Sequence, residues 1–139
     1  MTEVDLARFL VGFEHREVDD PAHFEFIRVD EVELLGDAED PFERARLAGH
    51  FTASALVVSS DGARTLLTHH RKLGRWLQLG GHADGNENLL EVALKEAQEE
   101  SGLSSLQFVD TSIFDLDKHI IPERPHVAEH FHFDVRYLI

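Results

Sequence analysis

Glu96, Glu99 and Glu100 stand three and four residues apart. On a helix that spacing projects their carboxylates together, where like charges repel by roughly 0.2–0.5 kcal/mol per pair. A helix that needed only solubility would interleave lysines. A divalent cation turns the repulsion into attraction, and Mg²⁺ takes hard oxygen ligands: a carboxylate or two, several waters and substrate phosphate. The competing reading is a solvated acidic face on an acidic chain.

The stretch around the glutamates, residues 81–103, has the signals needed to hold them. Gly80 and Gly81 follow an apolar run, a polar loop leads to Asn88, and the helix ends at Gly102. Asn88 is suited to cap the first turn, and Glu91 lies at capping-box spacing. Leu90, Leu94, Ala97 and Ser101 recur on one small, mostly apolar face. Gly102 tolerates the left-handed conformation that closes a helix.

The whole stretch resembles the signature of the Nudix hydrolases: Gly, five residues, Glu, seven residues, Arg-Glu, an apolar residue, any residue, Glu-Glu, any residue, Gly and an apolar residue. Gly81, Glu87, Glu96, Ala97, Glu99, Glu100, Gly102 and Leu103 occupy the defined positions, and Lys95 replaces the arginine. Lysine keeps the charge without arginine's bidentate fork. Two further departures, Leu79 and Asn86, stand where the family often has proline and glycine.

The resemblance implies a loop–helix–loop that holds Mg²⁺ or Mn²⁺ on Glu96, Glu99 and Glu100. Glu99 or Glu100 would take a proton, and Lys95 would orient a glutamate. Glu87 would fix the loop or a metal-bound water. The implied reaction is hydrolysis of a diphosphate linked to another group, most often within a nucleotide, so the expected partner is a small-molecule diphosphate. A Nudix-fold module that binds a nucleotide or protein without turnover is the alternative.

Other residues extend the candidate site. Arg71 and Arg75 lie in a basic loop of an otherwise acidic chain, suited to a phosphate-bearing substrate. Strand alternation puts His130, His132 and Asp134 side by side, a spacing able to hold a transition metal. The favoured reading gives Gly81, His82, Glu87, Arg71, Arg75, His130 and His132 contacts to substrate. His119, His126 and Glu129 are weaker candidates, and Glu123 or Glu129 could supply a further acid. An acidic, histidine-rich metal-binding domain of another kind is a third reading.

Composition bounds the rest. The 139 residues suit one domain with a real core. With 27 acidic and 13 basic residues, the formal charge is 13 − 27 = −14. That sign argues against polymeric nucleic acid and anionic membrane, yet a bound cation would still attract a small anion. The absence of cysteine removes disulfides, thiolate zinc and a thiol nucleophile. The acidic N-terminus is no signal peptide, and no run reaches the ~20 apolar residues of a membrane span, so a cytoplasmic location is expected.

The elements follow from periodicity. Helices are expected over residues 2–12, 21–35 and 40–49, forming an N-terminal extension (residues 1–50) that would act as a lid or a homodimer surface. From there the period shifts to two. Strands are expected over residues 52–59 and 64–70 as a hairpin, then over 106–117, broken near Asp110 and continuing to Pro122, and over 126–139. The last should alternate Phe131, Phe133, Val135 and Tyr137 with His130, His132, Asp134 and Arg136. The expected class is α/β: a Nudix-type mixed sheet flanked by helices, with residues 51–139 as the domain proper. Such a domain typically adds a strand and a helix beyond this point. The N-terminal helices, a partner chain or a missing segment would have to supply them.

Overall fold

Residues 49–58 alternate Phe51, Ala53 and Ala55 with His50, Thr52 and Ser54 and end in an apolar Leu-Val-Val run, as a strand with two different faces would. In the computed structural model, which describes residues 40–46 and 48–139, this run is the central strand, β1 (Gly49–Val58). On one side it pairs in parallel with the last strand, β7 (His130–Leu138). On the other it pairs antiparallel with β5 (Leu79–His82) along its first half and with β2 (Thr65–Leu66) at its end. The strand β6 (Asp115–Ile121) lies outside β7, antiparallel to it. A separate two-stranded hairpin joins β3 (Thr68–His70) to β4 (Arg75–Leu77).

One helix, α1 (Leu89–Ser101), follows β5. The Asn88 side chain accepts from the Glu91 N–H at 3.2 Å, and Gly102 closes the helix at φ 73°. The reciprocal half of the capping box is absent: the Asn88 N–H donates to Asn86 Oδ1, and Asn86 Nδ2 reaches Glu91 Oε2. The buried face of α1 is Leu89, Val92, Ala93 and Ala97, displaced by one residue from the expected stripe. Leu90 and Leu94 are half-buried at its margin. The small Val and Ala residues let the helix lie close over β1 and β7. There they join Phe51, Ala53, Phe133 and Val135 in the main core.

The chain is thus α/β with a mixed sheet, as expected. The helices expected over residues 2–12 and 21–35 lie outside the described residues. The third expected helix does not form over its described part. Residues 40–46 make two tight turns, with Glu43 N–H bonded to Asp40 O and Arg46 N–H to Glu43 O. Asp40 Oδ1 takes the Phe42 N–H, while the Pro41 and Phe42 carbonyls serve Phe51 and Gly85. Those tertiary demands consume the groups an α-helix would pair internally. Gly49, the expected helix end, is already in β1.

Three strand boundaries also move. The expected strand over residues 64–70 splits at Leu67 into β2 and β3, which join different sheets. Residues 106–114 form no ladder, although Val109 and Phe114 donate backbone bonds to Leu138 and Arg136. β7 begins at His130 rather than 126, because residues 124–127 close a turn through mutual Arg124–Val127 backbone bonds. Its expected alternation holds: Phe133, Val135 and Tyr137 are buried in the core.

Candidate functional site

The last turns of α1 run beside β5, so the glutamates meet the glycine pair. A Cβ on Gly81 would stand 2.6 Å from Glu96 Cδ and within 2.9 Å of both carboxylate oxygens. Glu96 therefore lies directly on the Gly81 backbone, in space that only glycine leaves open. Glu100 accepts a bond from the Gly80 backbone. Burial, then the charges of its neighbours, raises the pKa of both: Glu99 is the main neighbour for Glu96, and Glu96 for Glu100. Lys95 Nζ approaches Glu99 Oε1 at 3.9 Å, an exposed pair of small energetic worth.

The two glycines have different reasons to exist. A Cβ on Gly80 would meet the Ala53 carbonyl and Ser54 backbone at 2.6–2.8 Å, inside the β1–β5 ladder, where nothing can give way. On Gly81 the obstacle is only the mobile end of Glu96. Gly81→Ala should therefore fold with nearly unchanged melting temperature, while Glu96 is pushed aside and any Mn²⁺ affinity of the glutamates falls roughly 10–100-fold. A large loss of melting temperature, or unchanged Mn²⁺ affinity, would contradict this.

Sequence reasoning missed Arg44. Its Nε and Nη2 fork onto Asp84 at 2.7 and 2.6 Å. Asp84 occupies a left-handed turn (φ 47°) just after β5. Glu96 is among the groups that raise the Arg44 pKa, after Asp84, and Arg44 in turn lowers the pKa of Glu96. The cation lies in the segment expected to be helical, and no local pattern distinguished it. Arg71 and Arg75 are exposed on the β3–β4 hairpin, and Glu87 is exposed just before the helix cap.

The histidines gather elsewhere. Because α1 covers the Phe51 and Ala53 face of β1, alternation turns His50, Thr52 and Ser54 to the opposite face. Register then sets His50 beside His132, and His132 beside His119, across three strands. His82 on β5 sits beside Thr52. The ring of His50 lies 5.2, 5.1 and 4.9 Å from those of His82, His130 and His132. Asp134 does not join them. It accepts from Thr52 Oγ1, Ser54 Oγ and Arg136 Nε, and Arg136 also pairs with Asp115 and Asp117. The expected His130–His132–Asp134 grouping therefore gives way to one centred on His50.

Burial lowers the His50 pKa to about 4; the Arg46 carbonyl opposes this, while His82, His130 and Arg44 reinforce it. Burial likewise lowers His132 to about 3, helped by His50, His82, His119 and His130. Both rings are neutral in the folded protein at neutral pH. In the unfolded chain they protonate near 6.5. Their contribution is thus complete above that pH and is lost as pH falls toward 4 and then 3. Denaturant midpoints in chelating buffer should fall steadily below pH 6.5, and His132→Gln should flatten that slope. A flat profile for the unmodified protein would refute the assignment.

Among the described residues, no helix is long and apolar enough to cross a membrane. The family model described as NUDIX domain matches residues 49–137. Among solved structures, the chain is similar to a bifunctional NMN adenylyltransferase/ADP ribose pyrophosphatase from Francisella tularensis, determined with AMP and a manganese ion. The identity is 17% and the TM-score 0.42, over 96% of this chain and 38% of that one. The chain thus spans well under half the length of that protein. A comparison with curated proteins found no match.

Proposed function

The chain belongs to the Nudix family, and from that membership we propose that it is a metal-dependent pyrophosphohydrolase. Its substrate would be a nucleoside diphosphate linked to another group, cut at the phosphoanhydride by water. The observation that carries this reading is the lodging of Glu96 against Gly81, beside Glu100 and Glu99. Three carboxylates crowded into one place, with raised pKa on two of them, suit hard divalent cations such as Mg²⁺ or Mn²⁺.

Glu96, Glu99 and Glu100 would hold the ions. When bound, these supply charge neutralisation for the diphosphate and a more acidic water. The Gly80 backbone keeps Glu100 in place, and Lys95 steadies Glu99. Glu99 or Glu100 takes the proton from the attacking water. Glu87 and Gly81 shape the loop around the diphosphate, and Arg71 and Arg75 offer the β3–β4 hairpin a means to reach phosphate. Positioning and charge compensation do most of the work, as in other phosphoryl chemistry.

The test is turnover. Nucleoside triphosphates, nucleotide sugars, ADP-ribose and dinucleoside polyphosphates are each incubated with Mg²⁺ or Mn²⁺, and phosphate products are measured. Release from at least one is expected, and chelation should abolish it. Metal-dependent melting shifts with no turnover on any of them would favour a binding module.

A further inference from the structure

The sheet face opposite α1 holds a histidine cluster separate from the three glutamates. We propose that His50, His130 and His132 form a second metal centre, for a borderline divalent ion of the zinc class.

Geometry carries the proposal. His50, His130 and His132 each present one ring nitrogen, and these nitrogens lie within 4.8 Å of one another. The Nε2 atoms of His130 and His132 are 3.2 Å apart. Two nitrogens on a tetrahedral zinc, each at 2.0–2.1 Å, stand about 3.3 Å apart. The widest gap needs to close by about 1.5 Å for zinc to be held at that bond length. The His82 ring stands at the edge of the cluster, 5.2 Å from that of His50 and 5.1 Å from that of His132.

Burial points the same way. His50 is only 2% exposed, and its Nε2 has no hydrogen-bond partner among the described residues. Its Nδ1 faces the Arg46 carbonyl, which accepts only from an N–H, so Nε2 carries a lone pair. His130 Nδ1 likewise donates to the Ala128 carbonyl at 2.8 Å, so its Nε2 carries a lone pair that accepts from His132 Nε2 at 3.2 Å and is aimed into the cluster. A carbonyl behind one ring nitrogen is the usual support for a metal on the other. An unmet lone pair on a buried ring is costly, and a cation satisfies it.

Chemistry selects the ligand class. The cluster contains imidazole and neither thiolate nor carboxylate, which suits zinc, nickel or copper and not magnesium. A phosphate would need cations here. The cluster itself holds no fixed cation, and the neighbouring Arg44 is paired with Asp84. Three imidazoles would tie β1 to β7 through the ion and leave the fourth tetrahedral position to water.

The experiment uses the full chain, stripped with chelator and titrated with Zn²⁺, and with Co²⁺ as a spectroscopic probe. One equivalent of Zn²⁺ should bind in excess Mg²⁺ and raise the melting temperature by roughly 5–10 °C at saturating levels. Co²⁺ should develop the intense visible bands of a tetrahedral site. His130→Ala and His132→Ala, each checked for a native melt without metal, should weaken Zn²⁺ binding roughly a hundredfold or more and abolish the bands. Glu99→Gln with Glu100→Gln should leave both intact, which separates this site from the carboxylate one. Octahedral or absent Co²⁺ bands, or Zn²⁺ binding indifferent to the histidines, would overturn the proposal. So would histidine variants that lose diphosphate substrate binding in metal-stripped protein while Zn²⁺ binding persists.

Discussion

Replacing Glu99 and Glu100 together with glutamine is expected to lower hydrolysis by about 10³-fold or more while leaving the protein at least as stable. On the proposed mechanism, the activity loss follows from removing two anionic oxygen donors and the general base, whose contribution alone is typically 10²–10⁴-fold. A thousandfold loss is about 4 kcal/mol of transition-state stabilisation. The stability result is the more discriminating half. Both glutamates are exposed, and the pair that Lys95 makes with Glu99 is long. Burial and like charge already work against the ionised cluster at Glu96 and Glu100. Removing two of the charges relieves repulsion of roughly 0.2–0.5 kcal/mol per pair. The variant should therefore melt no lower than the parent and should no longer respond to Mg²⁺. Turnover and melting are measured on the same preparation. Retained activity would remove the carboxylates from the chemistry, and a collapsed melting temperature would assign them to the fold.

Asp134→Ala should do the reverse, destabilising the fold without touching the carboxylate cluster. Asp134 is 7% exposed and accepts from Thr52, Ser54 and Arg136 at 2.9, 2.6 and 3.0 Å. Burial opposes the Arg136 cation, and Asp134, Asp117 and Asp115 together more than offset this, so its pKa stands above the ordinary value. Removing one partner of a buried pair usually costs 3–5 kcal/mol, because the other charge is left uncompensated. Arg136 keeps Asp115 and Asp117, which puts the expected loss at the lower end, about 3 kcal/mol. That corresponds to a drop of roughly 10 °C in melting temperature for a domain of this size. Asp134→Asn, which retains an acceptor, should fall between. A change within about 1 kcal/mol would show that the aspartate row on β6 carries the arginine by itself.

Much of the carboxylate site was legible because its determinants are local. The cap at Asn88, the stop at Gly102 and the three-and-four spacing of the glutamates all lie within one helix and its flanks. The expected buried stripe was off by one residue because Val and Ala pack as well as Leu when the helix sits close to a sheet. The misjudged segments share another cause. Residues 40–46 and 106–114 have patterns compatible with helix or strand, but their backbone groups are claimed by distant partners such as Phe51, Gly85, Leu138 and Arg136. Local propensity is weaker than those demands.

The sequence by itself determined the α/β class, the position of α1, the grouping of Glu96, Glu99 and Glu100, and the inward and outward faces of the last strand. The tertiary structure alone decided what those outward residues meet. His50 reaches His132 because β1 and β7 pair in parallel, and Thr52 reaches Asp134 across 82 positions of sequence. Arg44 reaches the site through Asp84, 40 residues away. A period of two or 3.6 states which face a side chain takes, but not which strand lies beside it. That choice is made by the long-range register that buries Phe51, Ala53, Phe133 and Val135 under the helix, and the polar neighbours on the other face follow from it.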